Sequence, residues 1–370
     1  MNTWDPYQAL YIHIPFCKQR CNYCDFTTQA IYQDSPIIDE YLDRLISEIR
    51  MHSNNGLLGS IQTVYLGGGT PSYIGNKRLS SLLYALSVSM HLTPEVECTL
   101  EANPDSLTSA MVKDLYALGV NRISLGVQSF DDRLLTVLGR IHSSDDAKVA
   151  IDRAHQRFTN VSIDLMCGLP GQTEESFQND LEEALSLGVT HISVYPLTIE
   201  EGTPFDALCN QGKLTFDEDL GAQLMDLASS YLTSKGMLHY EVASYAFEGY
   251  ESRHNSAYWN GIPYLGLGTG AVSMRQNELC RQRFTDKEIE EELDIFQMTA
   301  EDLMLGMRMS KGIADEDIEI TQILLPELPN TLCSLMKEGY VVHEDYRWKP
   351  THKGWLFGNH LYGALLNLAP

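Results

Sequence analysis

Long apolar runs are missing from this chain. None approaches the roughly 18 residues a bilayer-spanning helix needs, so no transmembrane segment is expected. Positive charge is also scarce: 26 Lys and Arg stand against 50 Asp and Glu, a formal charge of −24. Such a surface argues against a nucleic-acid partner and against electrostatic docking on anionic lipid. The opening Met1-Asn2-Thr3-Trp4-Asp5 is not a secretory leader, and without one a disulfide framework is foreign to a chain of this size. The expected setting is a reducing cytoplasm. A second short cysteine pair is lacking too, because Cys98, Cys167, Cys209, Cys280 and Cys333 are scattered singly. Zinc is usually held by two such pairs, which disfavours a structural zinc site.

What the chain does have is Cys17, Cys21 and Cys24 within eight residues. The C-x3-C-x2-C spacing supplies three thiolates from one loop. A cubane iron–sulfur cluster normally takes four cysteines, so three would leave one iron open to another ligand. Zinc held at these cysteines in a structural protein is the competing reading of the same residues.

Apolar runs at Leu10–Ile14, Thr63–Leu66, Glu97–Leu100, Arg122–Gly126, Val161–Met166 and His191–Tyr195 read as strands. Helical patterns alternate with them, at Asp39–Met51, about Leu79–Met90, near Thr108–Leu118, from Asp131, from Asp145, at Glu174–Leu187 and at Asp217–Lys235. Six βα units in succession imply an α/β fold with a parallel sheet and right-handed crossovers; a doubly wound sheet and a barrel both satisfy the pattern. Ligands in such folds bind at the carboxyl ends of the strands. There lie the cysteine loop, Gly67-Gly68-Gly69-Thr70-Pro71, Glu101-Ala102-Asn103-Pro104, Gln128-Ser129, and Asp164 ahead of Gly168-Leu169-Pro170-Gly171. Singly, each has a plain structural reading: a tight turn for the glycines, a paired acid at Glu101, a surface arginine at Arg140. Their convergence on one rim is the functional argument.

With an aromatic Tyr23 before the third cysteine, Cys17-x3-Cys21-x2-Cys24 resembles the signature of the radical S-adenosylmethionine (SAM) enzymes. The resemblance implies a partial (β/α)6 barrel and a [4Fe–4S] cluster on Cys17, Cys21 and Cys24, with SAM chelating the unique iron. Gly68, Gly69 and Thr70 match the segment that contacts the methionine amino group of SAM, and Glu101 matches a SAM-binding acid. Tyr11, Tyr23, Gln128, Arg140 and Asp164 match positions lining the SAM site in a narrower group, the coproporphyrinogen oxidase-like proteins. That group contains oxygen-independent coproporphyrinogen III oxidases and HemW-type haem chaperones. The oxidases carry a further cysteine two positions on, where this chain reads Cys24-Asp25-Phe26, and a longer segment ahead of the motif. Arg253-His254-Asn255-Ser256-Ala257-Tyr258-Trp259 resembles the HNxxYW segment assigned to haem binding in the chaperones. His254 can ligate haem iron, and Tyr258 and Trp259 can pack on a macrocycle. The same segment also reads as a polar corner, with His254 and Asn255 satisfying backbone groups and the aromatics filling the core. The implied function is haem binding and delivery to an apo-haemoprotein, a respiratory one among the recipients; the oxidase is the alternative.

The expected division is a core over residues 1–238, an extension over 239–297 carrying the HNxxYW segment, and a C-terminal unit over 298–370. Tyr264-Leu265-Gly266-Leu267-Gly268-Thr269-Gly270 lacks the dinucleotide register and reads as close backbone packing. The acidic run Asp286–Asp294 is expected to be a solvated linker helix. Helices at Glu301–Arg308 and Leu332–Lys337, with strands at Tyr340–Val342 and Arg347–Pro350, give a small winged-helix-like α+β unit. Neither helix is strongly basic, so a lid or docking surface is expected rather than DNA binding.

Overall fold

In a computed structural model, residues 4–90, 92–215, 217–285 and 288–370 are described. The six apolar runs form β1 (Ala9–Ile14), β2 (Thr63–Gly68), β3 (Glu97–Ala102), β4 (Arg122–Gln128), β5 (Asn160–Cys167) and β6 (His191–Pro196). Each pairs in parallel with the next. Between and after them lie α1 (Pro36–Asn54), α2 (Asn76–Ser89), α3 (Ser109–Ala117), α4 (Asp132–Leu138), α5 (Ser144–His155), α6 (Glu174–Ser186), α7 (Pro204–Asn210) and α8 (Glu218–Ser234). Local chemistry sets their limits. Capping boxes at Ser143 and Thr173 open α5 and α6, and Gly139, at φ 73°, closes α4. The stripe Ile38, Tyr41, Leu42, Leu45 and Ile49 buries α1 in the main core with Leu10, Ile12 and Leu66 of the sheet.

The sheet then grows at both edges. Beyond β6 come β7 (Leu238–Glu241) and β8 (Ser244–Ala246), with β8 antiparallel to both β6 and β7. Helix α9 (Arg253–Trp259) leads to β9 (Tyr264–Leu267), which pairs in parallel with β1. Strands β10 (Ser273–Gln276), β11 (Cys280–Thr285) and β12 (Glu288–Asp294) follow, each antiparallel to its predecessor. The twelve strands run β12-β11-β10-β9-β1-β2-β3-β4-β5-β6-β8-β7. Strands β1 and β6 have other neighbours, so the six-strand barrel stays open and is partial.

One expectation fails here. The acidic run is not a linker helix: from Glu288 to Asp294 it is β12, and Asp286 lies outside the described residues. The cause is its neighbour. β11 offers Arg283 and Gln282 directly across from Glu291 and Glu292, and cross-strand opposite charges stabilise pairing that local helix preference would oppose. Close backbone packing in the glycine-rich stretch is observed. A Cβ on Gly268, at φ +95°, would fall 2.3 Å from the Tyr41 hydroxyl and 2.7 Å from the His13 carbonyl oxygen.

Residues from Ile295 form α10 (Ile295–Gly306), β13 (Ile313–Ala314), α11 (Asp315–Thr321), α12 (Leu328–Lys337), β14 (Val341–Glu344), β15 (Arg347–Pro350), α13 (His352–Leu356) and α14 (Gly358–Leu366). The strands make a separate antiparallel sheet ordered β13-β15-β14. A separate core of Leu303, Met307, Leu328, Leu332 and Leu361 holds the unit together.

Candidate functional site

The cysteine loop leaves β1 and is fastened before it reaches Cys24. Asn22 donates its backbone N–H to Leu138 (3.0 Å) and its side-chain amide to Val137 (2.9 Å), and accepts from the Phe205 N–H at 3.0 Å. Tyr23 packs over Leu134, Leu138, Met166 and Phe205, an apolar floor under the loop. Cys17, Cys21 and Cys24 then face one cavity of about 130 Å3. It is also lined by Tyr23, Gly68, Gly69, Thr70, Glu101, Gln128, Arg140 and Asp164, so ten sequence-selected residues besides Tyr11 and the haem motif meet there with Cys17. Tyr11 lies behind this wall: its hydroxyl pairs with His13 Nδ1 at 3.0 Å, and its ring stacks on Tyr65.

The donor set suits a cluster and a charged ligand. Thr70 Oγ1 donates to Cys17 Sγ at 3.6 Å and Arg140 Nη1 to Cys21 Sγ at 3.5 Å. Burial pushes the Cys17 and Cys24 thiols up, and neighbouring sulfurs add to the rise; a cationic metal centre would hold them as thiolates. Among the described residues no three His, Cys, Asp or Glu side chains are grouped to hold one metal ion. A cubane asks for something else, each thiolate on a different iron. Gly69 comes so close that a Cβ there would stand 3.0 Å from Cys17 Sγ and 2.8 Å from the Phe16 carbonyl oxygen. The glycine is required by backbone approach, not by turn geometry.

Two acids face the lumen. Glu101 accepts from Tyr65 OH at 2.7 Å and from the Gly68 N–H at 3.1 Å. Desolvation pushes its carboxyl up to about 7 despite those bonds. Asp164 is pushed up to about 6 by the same cause, with Arg122 pulling it back. Arg140 Nη2 donates to Asn103 Oδ1 at 2.8 Å and to the Gly126 carbonyl at 2.5 Å, which aims the guanidinium along the rim. Gln128 ends β4 at φ 70°, a conformation few side chains adopt, beside a register shift in the ladder.

Sequence reasoning passed over Asn103 and Arg122 as site residues. Asn103 bridges Thr70 and Arg140, and its place just after Glu101 on the rim was the available clue. Arg122 opens β4, where an arginine reads as solvent-facing. It is instead 2% exposed, and its charge acts on Glu101, Asp164 and His254.

Helix α9 splits the HNxxYW segment between two faces. His254 and Tyr258, four residues apart, turn inward. His254 is buried, with Nδ1 paired to Thr63 Oγ1 at 2.8 Å and Nε2 to Tyr258 OH at 3.0 Å. Its ring stacks on Tyr65 at 5.1 Å, and desolvation lowers it to about 3, keeping it neutral. The backbone N–H groups of Arg253 and His254 both donate to the Glu97 carboxylate at 2.9 Å. His254 thus sits in a polar corner, though its ring bonds side chains rather than backbone groups. Asn255 and Trp259, also four apart, face the other way, onto a cavity between the barrel and the C-terminal unit.

An open six-strand βα barrel with three loop cysteines at its rim defines the class. The Radical SAM superfamily model matches residues 11–184. The chain is 32% identical over 378 residues to heme chaperone HemW of Bacillus subtilis (strain 168), covering 97% of this chain and 99% of that one. To heme chaperone HemW of Escherichia coli (strain K12) it is 37% identical over 267 residues, 72% of this chain and 70% of that one. The chain therefore belongs to the HemW family within the radical SAM superfamily. The solved coproporphyrinogen III oxidase HemN of Escherichia coli shares the fold, with a TM-score of 0.80 at 21% identity over 97% of this chain and 90% of that one. Superfamily membership implies a [4Fe–4S] cluster and SAM. Among the described residues no helix is long and apolar enough to cross a membrane.

Proposed function

We propose that this chain is a cytoplasmic haem chaperone. It would hold a [4Fe–4S] cluster on Cys17, Cys21 and Cys24, bind SAM on the rim above them, and carry haem to an apo-haemoprotein of the respiratory kind. The observation that carries this reading is likeness to HemW along nearly the whole chain rather than the barrel alone. The absence of a cysteine at Phe26 agrees with it. Residues 1–238 would serve as the cluster and SAM unit, 239–297 as the haem-contacting extension, and 298–370 as a lid or docking unit.

When bound, the cluster offers an open iron to SAM and a source of one electron. The chain's own residues do the rest. Gly68, Gly69 and Thr70 present backbone groups to the methionine end of SAM, and Gly69 lets that strand come against the cysteine loop. Arg140, steadied by Asn103 and Gly126, stands ready for a carboxylate. Glu101 and Asp164 are desolvated acids in a lumen where the cationic sulfonium would favour their charged forms. Tyr11, behind the wall, orients His13 and Tyr65 and so acts through Glu101's partner.

One preparation tests the reading. After anaerobic reconstitution, haem titration should show stoichiometric binding, SAM should perturb the cluster spectrum, and coproporphyrinogen III should not be decarboxylated at a turnover rate. Turnover would make the chain an oxidase instead.

A further inference from the structure

A cavity of about 510 Å3 lies where the barrel meets the C-terminal unit, within the roughly 300–1,000 Å3 typical of sites for small organic ligands. Strand β6 gives it Tyr195 and Pro196, α8 gives Met225, α9 gives Trp259, and α13 gives Trp355. These are broad apolar surfaces, suited to a flat macrocycle. Tyr195, Pro196 and Asn255 also line the neighbouring lumen cavity of about 290 Å3 that holds Cys24, Gln128 and Asp164. The seam cavity therefore adjoins the cysteine rim.

Its polar groups are few, and His352, His239 and Arg308 each have a buried nitrogen without a partner. His352 Nε2 pairs with the Asp226 carboxylate, while Nδ1 is buried with no hydrogen-bond partner. A histidine held by a carboxylate on one nitrogen and free on the other is the usual arrangement of a metal-ligating imidazole. His239, 6.2 Å away between ring centres, is wedged between Tyr245 (4.1 Å) and Trp355 (4.4 Å), and burial keeps it neutral. Arg308 lies over the Trp259 ring at 4.2 Å and forms no ion pair within 4.0 Å among the described residues; its Nε is buried without a partner. Glu241 on the same wall is an acid whose carboxyl burial pushes up, while hydrogen bonds with Ser244 and Ala243, and then the charge of Arg308, pull it back. His254, by contrast, has neither nitrogen to spare.

Resting on the chaperone reading, we propose that this seam cavity is the haem site, with His352 as the iron's protein ligand and Arg308 as the partner of a propionate. The macrocycle lies against Trp259 and Trp355, and the HNxxYW segment contributes its outward pair, Asn255 and Trp259, rather than His254. The C-terminal unit is thus half of the binding site.

The test titrates haem, and separately iron-free protoporphyrin IX, into the reconstituted full chain and reads the Soret band and the axial-ligand spectrum. His352→Ala should weaken haem by at least about tenfold and change the axial spectrum, while leaving protoporphyrin IX binding in place. Ala222→Trp, at an exposed position on the cavity lining, should weaken both ligands and keep the melting temperature. His254→Ala should retain the wild-type axial spectrum. If both His352→Ala and Ala222→Trp bind haem within about twofold of wild type, the site is overturned and the chaperone reading stands. If the wild-type chain binds no haem, that reading falls and takes the site with it.

Discussion

The cysteine rim and the HNxxYW corner are the two most legible stretches of the sequence, yet they are built in opposite ways. At the rim, polar groups are left short of satisfaction: acids and thiols that burial pushes above their ordinary pKa values, and Gln128 in a left-handed conformation. At the corner each inward group has a partner, with His254 bonded through both nitrogens and Glu97 taking two backbone donors. Unmet potential in a folded protein marks where something else is to bind. Saturation marks structure. A histidine in a recognised motif can belong to the second kind, and the seam cavity, with its unpartnered His352 nitrogen, belongs to the first.

The largest effect should separate them outright. Cys17→Ala, Cys21→Ala or Cys24→Ala each removes a cluster corner, so iron and sulfide analysis after anaerobic reconstitution should show the cubane lost. Apo-protein stability should hardly move for the partly exposed Cys21. The corner should answer in reverse. His254→Ala deletes a buried ring and orphans Thr63 Oγ1 and Tyr258 OH, and urea unfolding should show a loss of about 2–4 kcal/mol with iron content unchanged.

The pH dependence sharpens the comparison next. Glu101 and Asp164 hold protons in the folded apo-protein to about pH 7 and about pH 6, above their ordinary values. The unfolded chain therefore releases those protons earlier as pH rises. Stability falls from about pH 4 to about pH 7, by up to about 3 kcal/mol for each acid, with no further cost above that window. Urea midpoints of the apo-protein between pH 5 and pH 8 should show this slope. Glu101→Gln and Asp164→Asn should each flatten it, and a slope unchanged in both would locate it elsewhere. His254, lowered to about 3 and therefore neutral across that range, adds nothing.

Much of the architecture was readable because it rests on local patterns. The six strands are apolar runs whose burial follows from their composition, and every one appears within a few residues of expectation. The rim followed because strand ends carry the unusual residues. What escaped depended on partners distant in sequence. Residues 288–294 form a strand against β11, where Gln282 and Arg283 stand across from Glu292 and Glu291. Arg122 is buried where its charge acts on Glu101 and Asp164 of two other strands. His352 lies more than a hundred residues from Asp226, and no spacing announces that pair. Asn255 directly follows His254 in the motif, yet the roughly 100° turn per helical residue sends the two side chains to different faces.

The smallest expected effect tests whether the rim's conformational strain is tied to ligand binding. Gln128 holds φ 70° at the end of β4, with its side chain on the cysteine cavity. Glycine adopts that backbone without strain, and a left-handed non-glycine residue costs on the order of 1 kcal/mol or more. Gln128→Gly also loosens the unfolded chain, which offsets part of the gain. Apo stability should therefore stay level or rise by up to about 1 kcal/mol, while SAM perturbs the cluster spectrum more weakly because a lining amide is gone. A variant that lost stability yet kept its SAM response would place Gln128 with the corner, as packing. The opposite pair of results would tie the strained strand end to ligand binding, since nothing in the folding of β4 itself asks for it.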